Sequence, residues 1–347
     1  MTSSKKIDVV ICSGDFISGV TSWAFRLRKA FLGNSNIRIH VINCLNTTET
    51  VGQFDAITPT PELFKTFVSK LNSPVVVPNY FWELFNVCEK LKHQGHALKL
   101  IGYCRSDSEK EYYEPLKKVA HLLSHVVAVS PECAEKLSHH LPIDSRIPIT
   151  ILPTGVEVSE TLDRTWQTFP IRIAYGGRID QEQKRVYDLI ELVDQLYRQS
   201  IEFTLSIAGA GREITALEKR LKAKDPENRV HVIGKKSPGS MPQFWREHDV
   251  MISLSAYEGT SNSMLEAMAE GCVPIVSKTQ SGTNGIIEYG KNGFIFPIGE
   301  TKELTGITKM MCPQSISRIG KEAFAKAHNY SIRKYVQEFE RILTSLK

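Results

Sequence analysis

The sequence predicts an α/β protein built from two doubly wound domains, each with a parallel sheet covered by helices on both faces. Short apolar segments alternate with amphipathic segments almost throughout the 347 residues. The apolar segments are continuous and rich in Val and Ile, which is typical of strands buried on both sides. The alternating series also occurs twice in tandem, which indicates two domains. A chain of this length suits two domains of ordinary size.

In the first half of the chain, the apolar runs predict six strands and the amphipathic segments between them predict four helices. The predicted strands are Ile7–Cys12, Ile37–Ile42, Val75–Val77, Ala97–Ile101, Val126–Val129 and Ile149–Leu152. The predicted helices are Thr21–Phe31, Phe81–Lys92, Glu111–Leu123 and Pro131–His140.

The second half repeats this rhythm with five predicted strands and six predicted helices. The strands are Ile171–Tyr175, Phe203–Ala208, Val230–Ile233, Val250–Leu254 and Val273–Val276. The helices are Val186–Arg198, Glu213–Lys222, Met241–Glu247, Ser263–Ala269, Lys302–Met311 and Ser315–His328.

The polar stretch 152–170 lacks periodicity and predicts the domain boundary. We place an N-terminal, acceptor-side domain at 1–155 and a second domain at 156–328. Residues 329–347 predict one more amphipathic helix, which we expect to dock on the N-terminal domain because its apolar residues share one face. Those residues are Tyr335, Phe339, Ile342 and Leu343.

Composition excludes several classes of protein. Hydrophobic residues make up 41% and charged residues 23%, and the net charge of +5 is not concentrated in a basic block, so nucleic acid is not indicated as a partner. The seven cysteines form no CxxC pair and indicate reduced, buried residues, without disulfides or zinc. No apolar run has the length of a signal peptide core or a membrane span. We therefore expect a cytoplasmic protein, and peripheral contact with the inner face of the membrane stays open.

Glycines follow several predicted strands, at the sheet edge where α/β proteins bind ligands. Gly14 and Gly19 flank the first turn, although a plain strand–helix turn explains them better. In "YGGRIDQEQK", Gly177 and Arg178 are followed by Lys184, which we expect at a helix start. A guanidinium and an ammonium beside glycines suit a diphosphate, but solvated surface charges are an equal alternative, and Arg185 is expected to be solvated.

Two further turns in the second half have weaker signals. "AGAGRE" after the strand Phe203–Ala208 is interpreted first as a tight packing turn. The loop 232–242, which begins near Gly234, is expected to line a pocket for a base.

The stretch Tyr257–Ser277 puts two glutamates where a strand ends and a helix begins. Asn262 or Ser263 is expected to cap this helix, with Glu266 in about its first turn. A carboxylate there can simply favour the helix dipole. The functional alternative is that Glu266 accepts hydrogen bonds from a cis-diol such as ribose, while Glu258 contacts sugar hydroxyls or stabilises positive charge.

Taken together, these motifs resemble the retaining GT-B glycosyltransferases of family 4, also called glycosyl transferases group 1. The line "SAYEGTSNSMLEAMAEGCVPIVS" is similar to the family's glutamate-glycine and leucine-glutamate-alanine-methionine-alanine pattern. "SGTNGIIEYGKNGFIFPIG", "ILPTGVEV", "AGAGRE" and the "GGR" segment with its following lysine also match. The resemblance covers nearly the whole chain and is most specific in the second domain.

The resemblance implies a nucleoside-diphosphate-sugar donor. It assigns the diphosphate to Arg178 and Lys184, the ribose to Glu266 and the transferred sugar to Glu258. The other donor-binding positions that it implies are Gly19, Gly177, Gly234, Gly259, Asn262, Ser263 and Met264. It further implies a metal-independent reaction without a cofactor, and the sequence contains no Asp-x-Asp pair that would hold a divalent ion.

One position departs from the family pattern. Where members often carry a histidine in a "YVHSD"-like segment, this chain has "YCRSD", with Arg105. Arginine cannot act as a base or accept a hydrogen bond, but it can pair with a donor phosphate or a charged acceptor. We count Arg105 with Arg178, Lys184 and Glu258 as the candidate catalytic residues.

The leading hypothesis is a hexosyltransferase that moves sugar, with retention, to a hydroxyl of a carbohydrate or lipid-linked acceptor. One alternative is a nucleotide-sugar-binding partner or regulator with an impaired site, which Arg105 alone supports. Another is a sugar-nucleotide epimerase of the same architecture. Four aromatic residues are candidates for stacking on an acceptor sugar: Tyr80, Trp82, Tyr112 and Tyr113.

Overall fold

A computed structural model describes residues 6–16, 18–46, 52–166, 169–283 and 285–346. The chain divides into two compact units. Unit 1 comprises Met1–Gly155 and Ile332–Lys347, and unit 2 comprises Val156–Ser331. The sequence suggested the same first boundary and a second one three residues earlier. No helix among the described residues is both long and apolar enough to cross a bilayer.

Unit 1 contains a seven-stranded parallel sheet in the order β3-β2-β1-β4-β5-β6-β7. The strands are β1 Ile7–Ser13, β2 Ile37–Asn43, β3 Ala56–Ile57, β4 Val75–Val77, β5 Lys99–Cys104, β6 His125–Ala128 and β7 Ile149–Ile151. The helices are α1 Gly19–Ala30, α2 Pro61–Val68, α3 Trp82–His93, α4 Glu114–Lys118 and α5 Pro131–His140. Apolar residues pack against both faces of the sheet, which explains the continuous apolar runs.

The single helix predicted over Glu111–Leu123 is wrong. The structure has a π-helical turn at Glu109–Tyr113, then α4, then a 3-10 turn at Ala120–Leu122. Pro115 explains the break, because it has no amide hydrogen to donate to Glu111 and its ring crowds that carbonyl. The strand predicted at Ala97–Ile101 also lies later, at β5.

Unit 2 contains a six-stranded parallel sheet in the order β10-β9-β8-β11-β12-β13. The strands are β8 Ile171–Gly176, β9 Phe203–Ala208, β10 Val230–Gly234, β11 Val250–Ser253, β12 Val273–Ser277 and β13 Phe294–Phe296. The helices are α6 Asp188–Arg198, α7 Ile214–Lys222, α8 Met241–Arg246, α9 Asn262–Ala269, α10 Thr301–Lys309 and α11 Pro313–Ala327. The prediction of two parallel-sheet domains is confirmed.

The last helix, α12 Ile332–Ser345, belongs to unit 1. Tyr335, Phe339, Ile342 and Leu343 are buried in the same cluster as Trp23. The Tyr335 hydroxyl also hydrogen-bonds the Tyr103 hydroxyl at 2.8 Å. The chain therefore leaves unit 1 at Gly155, builds unit 2, and returns to complete the core of unit 1.

The cysteines are buried, except for Cys312, which is exposed. Burial raises the pKa of the Cys88 and Cys272 thiols to about 12, so both are neutral at physiological pH. They behave as small apolar residues.

Two strand-end loops of unit 2 approach each other very closely. A Cβ at Gly209, just after β9, would lie 1.9 Å from the Gly177 carbonyl oxygen, and one at Gly211 would lie 2.1 Å from that of Ile179. The Gly177 amide donates to Ala208 at 3.0 Å, and the Ile179 amide donates to Ala210 at 2.9 Å. Only glycine fits at these two positions, so the "AGAGRE" turn is indeed a packing turn that fixes the loop after β8.

We predict that Gly209→Ala lowers the free energy of unfolding of unit 2 by about 1–3 kcal/mol, because the added methyl collides with backbone. Urea unfolding measures the change. Gly306→Ala is the matched control, because nothing lies within 4 Å of a Cβ there and the position is helical. The control should be neutral or stabilising by up to about 1 kcal/mol. Equal midpoints for Gly209→Ala and the wild type would contradict the packing argument.

Candidate functional site

The carboxyl ends of β8 and β11 carry the candidate site of unit 2. These strands are neighbours in the sheet, so the segments that follow them leave at the same edge. After β8 comes the segment 177–187, which includes Arg178 and Lys184. After β11 comes the segment 254–261, which includes Glu258.

Gln183 joins the two segments. Its side-chain oxygen accepts a hydrogen bond from the Arg178 guanidinium, and its side-chain nitrogen donates to the Tyr257 carbonyl at 3.1 Å. Its backbone carbonyl accepts from the Ala256 amide at 2.8 Å. Asp180 in turn accepts from the Gln183 amide at 2.9 Å, which closes the turn between Arg178 and Lys184.

Lys184 and Glu258 form an ion pair. The side chains are only 21% and 11% exposed, and the Ser255 hydroxyl donates to the same Glu258 oxygen at 2.7 Å. The cation expected at the diphosphate therefore contacts the carboxylate expected at the transferred sugar. The pair connects Lys184 to the network that Gln183 builds with Arg178.

Lys184 is not at a helix start as predicted. It lies in a turn, and α6 begins four residues later at Asp188. Arg185, expected to be solvated, is half-buried and pairs with Asp188 at 2.8 Å. Arg185 has a positive φ of 49°, so the backbone is not helical between Lys184 and the start of α6.

Arg178 has an exposed side chain, and a hydrogen bond from Tyr175 fixes its backbone. The Tyr175 hydroxyl donates to the Arg178 carbonyl at 2.7 Å. Burial raises the pKa of Tyr175 above its usual value, with Glu258 raising it further, so the hydroxyl keeps its proton. The guanidinium is thus available at the surface on a fixed stem.

The helix α9 begins with a different cap from the one predicted. Ser261 is the N-cap, and its hydroxyl accepts from the Met264 amide at 3.3 Å. Neither Asn262 nor Ser263 is the cap, because both already lie inside the helix. The Met264 amide, assigned to the donor by resemblance, is engaged by Ser261 in this structure.

Glu266 lies in the second turn of α9 rather than the first. It is half-buried and follows Asn262 by four positions and Ser263 by three, so the three residues share one face of the helix. That face begins at the helix N-terminus, where the backbone amides favour negative charge.

Gly259 is covered by the turn that follows β12. A Cβ at Gly282 would lie 1.7 Å from the Gly259 carbonyl oxygen, and the Ser281 hydroxyl donates to the same oxygen at 3.1 Å. With φ at +79°, Gly282 is also in a conformation that favours glycine. Ser281 and Gly282 therefore fix the loop that carries Glu258.

Gly234 lies at the end of β10, beside the glycine turn already described. Its carbonyl accepts from the Gly209 amide at 2.8 Å, and Gly209 in turn packs on Gly177. The three glycines thus lie in a row across the ends of the adjacent strands β10, β9 and β8.

Gly19 and Arg105 belong to unit 1. Gly19 is the first residue of α1, after the cap Ser18, whose hydroxyl accepts from the Thr21 amide at 3.1 Å. Arg105 follows β5. Its Nε and one terminal nitrogen donate to the Asn79 side-chain oxygen at 3.2 and 2.9 Å, and Asn79 follows the neighbouring strand β4.

The aromatic residues suggested as acceptor platforms are packed against protein. Trp82 stacks on Phe85 and meets the edge of Tyr112. Tyr113 is 2% exposed, and its hydroxyl donates to Asp107 at 2.8 Å, so it is not a surface for stacking. Tyr113 is therefore a packed aromatic, the commoner case for such residues, because a π-helical turn directs it inward.

Within the described ranges, one group of side chains could hold a metal ion: Glu109, Glu114 and His140 of unit 1. None of them is a predicted donor-binding residue.

Comparisons with known proteins identify the second unit. Residues 170–310 match the family model "Glycosyl transferases group 1". In unit 2, these residues are similar to glycosyl transferases group 1. The lipopolysaccharide 1,6-galactosyltransferase of Salmonella typhimurium is 28% identical over 191 residues, which are 50% of this chain and 52% of that protein. The chain spans about half or less of the length of the curated relatives it matches first.

Solved structures extend the likeness of fold to both units. Sucrose-phosphate synthase from Thermosynechococcus elongatus has a TM-score of 0.79 at 15% identity and covers 98% of this chain and 99% of its own. Anabaena Alr3699/HepE in complex with UDP and glucose has a TM-score of 0.73 at 16% identity, covering 98% and 100%. The predicted resemblance to GT-B glycosyltransferases is confirmed, and so is the GT-B fold.

Unit 2 contains three supporting residues that sequence reasoning missed: Gln183, Ser255 and Ser261. Each holds a predicted site residue or its helix in place. Gln183 and Ser255 lie close to predicted residues in the sequence. However, Gln183 bonds to the segment that follows β11, and Ser255 bonds to Glu258 within one tight loop. Only the hydroxyl pattern "TSNS" gave a signal, and it allowed several caps.

We predict that Gln183→Ala loosens the link between the segments 177–187 and 254–261. Two side-chain hydrogen bonds are lost, so the free energy of unfolding of unit 2 falls by about 1–3 kcal/mol. Hydrogen exchange at the Ala256 amide should accelerate in step. Gln243→Ala is the control, since that side chain bonds only to the exposed Glu247 on its own helix. Unchanged exchange at Ala256 would contradict this role for Gln183.

Proposed function

We propose that this chain is a metal-independent, retaining hexosyltransferase that uses a nucleoside-diphosphate sugar and a hydroxyl acceptor. The observation that carries the proposal is the single network of Arg178, Gln183, Lys184 and Glu258 at one sheet edge of unit 2. It combines two cations and a carboxylate in a segment that matches the family model.

The diphosphate is the natural ligand of the two cations. Arg178 presents an exposed guanidinium that can bind oxygens in a fork, and Lys184 supplies a point charge. When the bond to the sugar breaks, negative charge grows on the departing diphosphate. Arg178 and Lys184 stabilise this charge, which is the work a metal ion does in other transferases.

Glu258 serves the sugar side of the reaction. Its carboxylate is held by Ser255 and Lys184, so it is fixed in direction. A fixed carboxylate binds sugar hydroxyls and favours the positive charge that develops on the anomeric carbon. Glu266, on the half-buried face of α9, binds the ribose hydroxyls. Retention follows if the acceptor hydroxyl approaches on the face of the departing phosphate, whose oxygen takes the proton.

We infer uridine as the base and a carbohydrate or lipid-linked molecule as the acceptor. The structure of Alr3699/HepE with UDP and glucose supports the first inference, and the galactosyltransferase of Salmonella supports the second. A regulator that binds the donor without transfer is the second candidate, because Arg105 cannot act as a base.

We predict that UDP-hexoses raise the melting temperature more than GDP-, ADP- or TDP-hexoses, because binding to the folded state stabilises it. Release of labelled sugar from the same donors, to water or acceptor, then separates an enzyme from a regulator. Activity should persist in EDTA. A stabilising donor that is never turned over would favour the regulator, and no stabilisation by any donor would contradict both candidates.

Arg178→Met should lower turnover of the donor on the order of 100-fold, because one preorganised cation at the departing charge is lost. Steady-state rates at saturating UDP-sugar measure this. Arg198→Met is the matched control: it removes the same charge from an exposed helix position, where the side chain pairs with Asp194. Equal losses in both variants would show that Arg178 acts only through overall charge.

A further inference from the structure

Arg105 lies at the carboxyl edge of the unit 1 sheet, where β4 and β5 end side by side. It is half-buried. Its guanidinium carbon lies 4.0 Å from the centre of the Trp23 ring and 4.1 Å from that of Tyr103. Both rings are fully or almost fully buried, so they provide a fixed support for the planar cation.

Asn79 fixes the direction of the guanidinium. Its side-chain oxygen accepts two of the Arg105 donors, and its side-chain nitrogen donates to the Cys12 carbonyl at 2.6 Å. Asn79 is 1% exposed and has a φ of +56°, so its own position is set by the surrounding backbone. Asn79 and the two aromatic rings therefore hold the guanidinium in one orientation.

The charge of Arg105 is not balanced by a carboxylate. Among the described residues, no Asp or Glu oxygen lies within 4.0 Å of its nitrogens, and the nearby Asp107 is taken up by Lys136 at 2.6 Å and Tyr113. The phenols around Arg105 are neutral, because burial raises the pKa of Tyr80 to about 12 and also raises the pKa values of Tyr112 and Tyr103. The charge of Arg105 acts to lower the pKa of each of these phenols, because it lies close to them.

Other features of unit 1 favour negative charge at the same edge. Trp23 belongs to α1, which begins one turn earlier and has no acidic residue in its first turn. The next residue, Ser106, is 7% exposed, and its hydroxyl has no hydrogen-bond partner within the described part of the chain. Unit 1 carries 21 Lys and Arg against 16 Asp and Glu, whereas unit 2 carries 22 of each, so the net charge belongs to unit 1.

We propose that Arg105 binds an anionic oxygen group of a substrate, a phosphate or a carboxylate, and thereby acts as a specificity residue. The inference rests on the proposed function, because it assigns the group to a substrate of the transferase. Two sources offer this chemistry: the diphosphate of the donor and an acidic group on the acceptor. The supported, uncompensated guanidinium fits either, since a planar fork binds such oxygens in pairs.

The first experiment tests anion binding without requiring any activity. Inorganic phosphate is titrated into an Arg178→Met, Lys184→Met background, in which the candidate diphosphate cations are absent. The indole N–H signals of the four tryptophans are followed by NMR, with Trp23 assigned by Trp23→Phe. Phosphate should shift the Trp23 signal in a saturable way, and adding Arg105→Met should weaken its affinity about tenfold or more.

Arg38→Met is the matched control in the same background, since Arg38 is exposed in unit 1 and carries the same charge. It should leave the titration unchanged. A titration that is the same with and without Arg105 would overturn the proposal, whatever the fate of the proposed function.

The second experiment distinguishes the two sources in the otherwise unchanged protein. If the group belongs to the donor, Arg105→Met weakens UDP binding about tenfold or more. If it belongs to the acceptor, Arg105→Met leaves UDP affinity the same. In that case the unchanged protein should prefer glucose 6-phosphate to glucose as an acceptor of labelled sugar, and Arg105→Met should lose this preference. Arg105→Lys should restore only part of either effect, because it lacks the fork. If Arg105→Met changes neither UDP affinity nor acceptor preference, the proposal fails even where Arg178→Met abolishes turnover.

Discussion

The candidate site of unit 2 depends on one steric constraint, the contact between backbone and backbone at the ends of β8 and β9. Because position 209 has no side chain, the turn after β9 can lie against the Gly177 carbonyl. This contact fixes the loop after β8, and the side chain of Arg178 is exposed on that loop. A second contact of the same kind, Gly282 on Gly259, holds the loop that carries Glu258. Two glycines thus position a cation and an acid that are 80 residues apart in the chain.

Charge within this framework is closely balanced. Lys184 and Glu258 neutralise each other in a partly buried setting, where either charge left without its partner would be strongly destabilising. Arg178 is bonded only to a neutral amide among the interactions of its side chain that the structure defines. Within these defined interactions no carboxylate cancels the charge of Arg178, which suits a ligand that arrives with negative charge. Arg105 in unit 1 has the same property by a different route, since aromatic faces rather than an amide turn support it.

Much of the fold could be predicted because buried parallel strands require continuous apolar residues. β4, β9 and α5 have the bounds that the sequence suggested. The two-residue strand β3 and the short β13 were missed, since so few residues carry no periodic signal. Around Glu111–Leu123 the apolar pattern favoured one helix, but Pro115 interrupts it. The motifs suggested Arg178, Lys184 and Glu258, and the structure brings these three residues together. The cap Ser261 and the linking Gln183 were not suggested, because hydrogen-bond partners across a loop depend on the tertiary structure.

The return of α12 to unit 1 has a consequence for the order in which the protein is made. A ribosome completes the strands and helices of unit 2 before it releases the helix that carries Tyr335 and Phe339. Until then, Trp23 and the neighbouring face of the first sheet lack the side chains that cover them. Nascent unit 1 therefore exposes a hydrophobic surface until α12 is synthesised, after all of unit 2. This differs from the usual order, in which the N-terminal domain folds first during translation.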